Sequence, residues 1–230
     1  MFDCVKRVPV FLPGWGQGKE SMEGFRRYFP EVECVFLDLP GFGKIPLEKK
    51  MTTQDYVDYV HDTLKKQNVS PSVFIGHSFG GKVATYYALR YPVPLVLLAP
   101  SIVPPKKTLL YGVKKCLYPL FKEAKNLGYI EQMPFFLKGS LDYQNSSGFL
   151  RETFLSVVHD YPYQRIKEIK KEVVLIGFEK DKAVRPKRLL LAKKIAPSIE
   201  RIIFPGDHFG YVQHLGEISN IIRRIGEMPL

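Results

Sequence analysis

A serine in a tight turn between a predicted strand and a predicted helix constrains the fold of this chain more than any other segment. Residues 72–75 are a short run of β-formers, residues 76–80 read Gly-His-Ser-Phe-Gly, and a helical pattern continues to residue 90. The glycines two positions before and after Ser78 fit a sharp turn, where a Cβ would collide with the neighbouring strand or helix. Such a turn holds the serine at the C-terminal edge of a sheet, beside the free amides of a helix N-terminus.

The five-residue pattern alone does not establish chemistry. Gly-x-Ser-x-Gly arises by chance in roughly one chain in ten of this length. A serine in such a place is equally well explained as a loop hydroxyl or a helix N-cap. The rest of the chain must therefore supply the partner residues that a reactive serine needs.

Short apolar runs alternate with helical patterns along most of the chain, which predicts a parallel sheet covered by helices on both faces. In such sheets ligands bind at the carboxyl ends of the strands, and the glycine-rich turns of this chain follow predicted strands. A chain of 230 residues is predicted to form a single domain over 1–230. The predicted strands are 8–12, 34–37, 72–75, 94–99, 173–176 and 201–204, and the predicted helices are 20–29, 53–68, 78–90, 186–195 and a terminal helix to about 227.

The alternation breaks between residues 101 and 165, where no strong strand pattern occurs. We predict that 101–165 form a helical cap, inserted after the fourth strand, that covers the serine. Within it, 106–126 read as an amphipathic helix or helix pair, and a helix lying on a membrane surface is the alternative. The apolar side of this segment consists of Leu109, Leu110, Val113, Leu117, Leu120 and Phe121.

The chain has a net charge of +11, and most of the excess lies after residue 100. A basic surface can attract nucleic acid, anionic lipid or an acidic carrier protein, although many lysine-rich faces are only solvated. No nucleic-acid-binding motif accompanies the charge, so nucleic acid is not an expected partner. No run approaches the ~20 apolar residues of a membrane-spanning helix, and residues 1–7 do not resemble a signal peptide.

The cysteines give no sign of a disulfide framework or a zinc site. Cys4, Cys34 and Cys116 are an odd number, lie far apart and form no Cys-x-x-Cys pair. This usage is typical of a reducing compartment, so a cytoplasmic location is expected.

A serine hydroxyl is a weak nucleophile at neutral pH and needs an adjacent base that is itself oriented by an acid. In a strand–turn–helix setting the chain order is serine, acid, histidine, with each partner at a later strand end. Of the five histidines, His208 is the one that follows a predicted strand within a glycine-bearing loop. His208 is therefore the predicted base.

Asp181 is the favoured acid, because it lies just beyond the strand at 173–176 and leaves room for one helix and one strand before the histidine. Glu179 is its nearby rival. Asp207 adjoins the histidine and is poorly placed to orient its ring, while Asp38 precedes the serine and suits a turn.

The tetrahedral intermediate of acyl transfer also needs two amides aimed at its charged oxygen. One is predicted to be the amide of Phe79, directly after the serine. The other is expected from the turn after the first strand, where the amide of Trp15 is the best candidate and the flanking glycines permit a close approach.

Five motifs give the chain a resemblance to the α/β-hydrolase fold family over nearly its whole length. The resemblance implies a mostly parallel sheet flanked by helices. Because the sequence starts almost at its first predicted parallel strand, we expect about six strands, without the two N-terminal strands typical of the fold. The resemblance implies Ser78 as nucleophile, His208 as general base and Asp181 as orienting acid. It also implies that the amides of Trp15 and Phe79 bind the oxyanion. The motifs are Pro-Gly-Trp-Gly at 13–16, Asp-Leu-Pro-Gly-Phe-Gly at 38–43, Gly-His-Ser-Phe-Gly-Gly at 76–81, Gly-Phe-Glu-Lys-Asp at 177–181 and Gly-Asp-His-Phe at 206–209.

The resemblance leaves the substrate open, because this fold also hosts thioesterases, lipases, C–C bond hydrolases and lyases. The leading prediction is a serine hydrolase that cleaves small acyl esters of carboxylic acids, with no cofactor and no metal. The Trp15 turn and the serine turn also resemble carboxylesterases that cleave the methyl ester of pimeloyl-acyl-carrier protein. An esterase or thioesterase acting on an acidic acyl carrier protein is therefore one alternative, and a non-catalytic ligand-binding protein of this fold is another.

Overall fold

A single sheet of six parallel strands forms the centre of the fold, in a computed structural model that describes residues 5–105, 117, 119–123, 125–129, 131–132 and 140–228. The strand order is β2-β1-β3-β4-β5-β6, and every neighbouring pair is parallel. The predicted six-stranded parallel sheet is confirmed. The strands are β1 (Lys6–Leu12), β2 (Val35–Phe36), β3 (Val69–His77), β4 (Leu95–Leu98), β5 (Val173–Phe178) and β6 (Glu200–Phe204).

Helices cover both faces of the sheet, as the alternation of the sequence predicts. Along β1, Val10 and Leu12 point into the core cluster under the helices Thr53–Lys66 and Ser78–Arg90, while Phe11 points into the opposite cluster under the helix Leu215–Ile225. Strands β4 and β5 are buried along their whole length, as expected of strands covered on both faces. The α-helices with both bounds among the described residues are α1 (Thr53–Lys66), α2 (Ser78–Arg90), α3 (Leu141–Gln144), α4 (Gly148–Val157), α5 (Pro186–Ile195) and α6 (Leu215–Ile225).

Some element boundaries differ from the sequence prediction. The helix predicted at 20–29 is instead a pair of short 3-10 helices, Lys19–Ser21 and Glu23–Tyr28. The second contains Gly24, a poor helix former, which packs so closely on α6 that a Cβ would lie 3.1 Å from a methyl of Leu215. Strand β3 begins earlier than predicted because Val69 already pairs with the start of β1.

Helices, and no strand, occupy the described residues between β4 and β5. This agrees with the helical content predicted for 101–165, whose role as a cap stays a prediction. Of the amphipathic segment at 106–126, most residues lie outside the described part of the chain. Leu120, assigned to its apolar side, is exposed. Leu109, Leu110, Val113, Cys4 and Cys116 are outside the described residues.

Hydrogen bonds fasten α4 to the rest of the fold near both the centre and the end of the helix. Thr153 Oγ1 accepts the backbone N–H of Met51 at 2.9 Å, and Ser156 Oγ donates to the Met51 carbonyl at 2.6 Å. Lys82 Nζ donates to the carbonyl of Val157, the last residue of α4, at 2.6 Å. Since Lys82 lies one turn into α2, the end of α4 is joined to the helix that begins at the serine.

Lys82 is a cation in the protein interior, with 2% of its surface exposed. Its ammonium lies 5.1 Å from the centre of the Tyr161 ring. Burial lowers the pKa of Lys82 to about 8, against the opposing pull of the Asp160 charge. Between this value and 10.5, the unfolded chain binds a proton at this position that the folded protein does not, so the lysine's contribution to folding stability increases with pH.

We expect Lys82→Met to be about as stable as the wild type at pH 7, because the variant buries no charge and the Val157 carbonyl still accepts the backbone amide of Asp160. As the pH rises towards 10.5, the wild type should gain about 3 kcal/mol of unfolding free energy relative to the variant. Denaturant unfolding at intervals between pH 7 and 10.5 measures this difference. Lys65→Met, on the exposed face of α1, is the matched control. A Lys82→Met difference that does not change with pH would contradict the expectation.

Candidate active site

The serine turn joins β3 directly to α2, as the sequence predicts. Ser78 is half-buried and has a φ of 48°, in the left-handed region that disfavours a residue with a Cβ. The flanking glycines allow the turn, since a Cβ on Gly76 would lie 2.6 Å from the Cα of Gly81. A Cβ on Gly80 would lie 2.4 Å from the carbonyl oxygen of Leu12. The strained turn is therefore held by close backbone packing between β1, β3 and α2.

The serine lies at the point where the strand order reverses. Strands β1 and β3 are neighbours, and the chain leaves β1 towards β2 on one side but continues from β3 to β4 on the other. In open parallel sheets this reversal opens a crevice at the carboxyl ends of the two strands. Ser78 follows β3 and the turn at 13–16 follows β1, so both lie at this crevice.

Asp181 and His208, far apart in sequence, are in direct contact. Nδ1 of His208 is 2.8 Å from Oδ2 of Asp181. The other carboxylate oxygen, Oδ1, accepts the backbone amides of Ala183 and Val184, both at 2.8 Å. A carboxylate oxygen only accepts hydrogen bonds, so Nδ1 of the ring donates to Oδ2, which leaves Nε2 without a proton in the neutral histidine.

The competing carboxylates are placed elsewhere. Glu179 is exposed. Asp207 is exposed, and its Oδ1 accepts the backbone amide two residues later at 2.9 Å. Asp38 is buried and accepts two loop amides, at 2.7 and 3.3 Å, as expected of a turn residue. Asp181 is thus the carboxylate in contact with His208, while the catalytic role of this pair stays a prediction.

A cluster of aromatic rings surrounds the two residues whose amides are predicted to bind an oxyanion. The Trp15 ring packs edge-to-face on Phe42, Phe79 and Phe154, with ring centres 4.8, 5.2 and 5.3 Å apart. Phe79 also packs edge-to-face on Tyr56 at 5.0 Å. Since Phe154 belongs to α4, a helix of the predicted cap contacts the turn that follows β1.

Two further residues of the site have no clear signal in the sequence. His77 is fully buried, with Nδ1 2.9 Å from Oε1 of Gln17 and Nε2 3.0 Å from the carbonyl oxygen of His208. Burial, reinforced by the His208 charge, lowers the pKa of His77 to about 3. The sequence places His77 in the serine turn but does not single out Gln17, because nothing near a glutamine in a glycine-rich loop indicates its hydrogen-bond partner.

Metal and thiol chemistry have no obvious site in the part of the chain that the structure describes. No group of three histidine, cysteine or acidic side chains there could hold a metal ion. Cys34 is buried, and burial raises the pKa of its thiol to about 11, which makes it a poor nucleophile. None of the helices among the described residues is long and apolar enough to span a bilayer.

Comparison with known protein families gives a match along most of the chain. A family model described as the alpha/beta hydrolase family matches residues 10–219. Among curated proteins, the pimeloyl-[acyl-carrier protein] methyl ester esterase of Shewanella woodyi is 36% identical over 84 residues, which are 36% of this chain and 30% of that protein. The matched segment covers about a third or less of the length of the first curated relatives.

Solved structures agree with the fold. A lipase-esterase related protein from Clostridium acetobutylicum has a TM-score of 0.68 at 19% identity, covering 95% of this chain and 94% of that one. MGS-M2, described as an alpha/beta hydrolase enzyme from a deep-sea metagenome library, has a TM-score of 0.70 at 14% identity, covering 100% of this chain and 92% of that one. At these identities the similarity shows the fold alone.

Proposed function

The chain belongs to the alpha/beta hydrolase family, and from that membership we propose that it is a serine hydrolase that cleaves carboxylic esters through an acyl-enzyme on Ser78. The observation that carries the proposal is the 2.8 Å contact between Nδ1 of His208 and Oδ2 of Asp181. A histidine oriented by a buried carboxylate is what a hydroxyl nucleophile requires, and the backbone of His208 lies 3.0 Å from the ring of His77, the residue before Ser78.

In the first half of the reaction, Nε2 of His208 takes the proton of the Ser78 hydroxyl while Oγ attacks the ester carbonyl carbon. The carbonyl oxygen becomes an oxyanion, which accepts hydrogen bonds from the backbone amides of Trp15 and Phe79. The amide of Phe79 is in the first turn of α2, where the helix dipole also favours negative charge. The intermediate collapses when the alcohol leaves with the proton from His208, and Ser78 keeps the acyl group.

In the second half, His208 takes a proton from water, and the resulting nucleophile attacks the acyl carbonyl. The same two amides bind the second oxyanion. When that intermediate collapses, His208 returns its proton to Oγ of Ser78 and the carboxylic acid is released. Throughout the cycle, Asp181 keeps the histidine in the required tautomer and stabilises its charged form.

Reaction of the wild type with a fluorophosphonate probe tests this proposal, because an activated serine attacks the phosphorus of the probe, displaces fluoride and becomes phosphonylated. We expect about one label per chain, which peptide mass spectrometry would locate on Ser78. We also expect turnover of p-nitrophenyl esters, and a series from acetate to palmitate would measure the preferred acyl length. A protein that neither takes the label nor hydrolyses any ester would instead fit the non-catalytic ligand-binding alternative.

An ester or thioester linked to an acyl carrier protein is the second candidate substrate. The similarity to a pimeloyl-[acyl-carrier protein] methyl ester esterase supports it, as does a net charge of +11, which suits an acidic carrier. Comparing kcat/KM for an acyl-carrier-protein methyl ester with that for the free methyl ester separates the two candidates. A preference for the carrier-linked ester that weakens with added salt would favour this candidate.

A further inference from the structure

We propose that His77 is a positioning residue that joins the turn at 13–17, the serine turn and the His208 loop into one unit. The inference rests on the proposed function, since it concerns how the nucleophile, the base and the oxyanion-binding amides are held in register. His77 directly precedes Ser78, so a displacement of the His77 side chain would also move the backbone next to the proposed nucleophile.

The contacts of His77 reach the other two loops from the interior of the protein. Its Nε2 is 3.0 Å from the carbonyl oxygen of His208, and its Nδ1 is 2.9 Å from Oε1 of Gln17. The ring centres of His77 and His208 are 4.9 Å apart. A Cβ on Gly14 would lie 2.9 Å from Nδ1 of His77, so the backbone of the turn after β1 also lies against this ring.

The proton of His77 belongs on Nε2. Burial lowers the pKa of this histidine to about 3, so the ring is neutral at physiological pH and carries one proton. The carbonyl of His208 can only accept and needs a donor, whereas the carboxamide of Gln17 can present either its oxygen or its NH2 to the ring. With Nε2 as the donor, Nδ1 becomes an acceptor, and the carboxamide of Gln17 pairs with it by presenting its NH2 in place of Oε1, at the cost of the hydrogen bond from the amide of Gly14.

His208 is consequently held at two points. Asp181 binds the ring through Nδ1, and His77 binds the backbone through the carbonyl oxygen. The first contact sets the tautomer of the base, while the second sets the distance of its loop from the serine turn. Loss of the second contact should shift the base relative to Ser78, and a misplacement of about 1 Å costs on the order of 100-fold in rate.

His77→Asn and His77→Gln form the matched pair that tests the proposal. The amide of a glutamine can reach the position of Nε2 and donate to the His208 carbonyl, whereas that of an asparagine reaches only the position of Nδ1. We expect His77→Asn to lower kcat for a p-nitrophenyl ester by roughly 100-fold, with KM changed by less than about threefold. We expect His77→Gln to recover at least about tenfold of that loss. His61→Asn, on α1, is the control and should keep the wild-type kcat.

The outcomes separate this inference from the proposed function. If the wild type takes no fluorophosphonate label, the proposed function itself fails. If the wild type is labelled, two results would overturn the positioning role. One is a His77→Asn protein that is labelled and has the wild-type kcat. The other is an equal loss of kcat in His77→Asn and His77→Gln. If His77→Asn does not fold, as judged by thermal unfolding, the test uses Gln17→Met instead. Gln17 is half-buried, and its replacement removes the contact with Nδ1 of His77. A roughly tenfold lower kcat with unchanged KM is expected there, and an unchanged kcat overturns the proposal.

Discussion

Ser78→Ala is expected to abolish ester hydrolysis and fluorophosphonate labelling while leaving the fold intact. In the proposed mechanism the acyl-enzyme forms on Oγ of Ser78, so the expected loss in kcat is roughly 10⁴- to 10⁶-fold. The fold should persist because the turn is held by backbone packing around Gly76 and Gly80 and not by the serine hydroxyl. Ester turnover, intact-protein mass after labelling and thermal unfolding are the measurements.

Ser72→Ala is the matched control for this variant. Ser72 lies on β3, six residues before the nucleophile, and is buried with a hydroxyl that has no hydrogen-bond partner among the described residues. Removing it should leave activity and labelling as in the wild type, because no bond is lost. A Ser78→Ala protein that still hydrolyses esters at the wild-type rate would show that another group is the nucleophile.

Asp181→Asn is expected to lower kcat by about 10⁴-fold with little change in substrate binding. The single carbonyl oxygen of asparagine would accept the amides of Ala183 and Val184, as Oδ1 of the aspartate does. Its NH2 would then face Nδ1 of His208 and donate to it. The ring proton would be forced onto Nε2, and the histidine could no longer accept the proton of Ser78.

Glu179→Gln is the control for the acid, because Glu179 is the exposed rival on the same loop. It should keep kcat within about threefold of the wild type, as a surface carboxylate outside the site contributes little. The two variants can be compared by kcat and KM on one p-nitrophenyl ester. Equal losses in Glu179→Gln and Asp181→Asn would contradict the assignment of the acid.

Local signals in the sequence predicted the strands, most helices and the serine turn. The apolar runs at 94–99 and 173–176 became buried central strands, and the proline at 186 begins α5 as predicted. Thr52 caps α1, accepting the amide of Asp55 at 3.3 Å. These features are readable because strand periodicity, helix caps and turn glycines each depend on a few consecutive residues. The 3-10 helices at 19–28 were missed because tertiary packing against α6 outweighs a weak local helical preference.

What the sequence by itself determined was the type of each element and the chemical identity of the candidates: a serine in a glycine-flanked turn, later carboxylates and a later histidine. Only the tertiary structure decided which of them meet. It placed Asp181, and not Glu179 or Asp207, against His208, and it brought Gln17 to His77 across 60 residues of chain. The physical reason is that partners are set by which strand ends are neighbours in the sheet, β5 and β6 for Asp181 and His208 and β1 and β3 for Gln17 and His77, and no local pattern records that order.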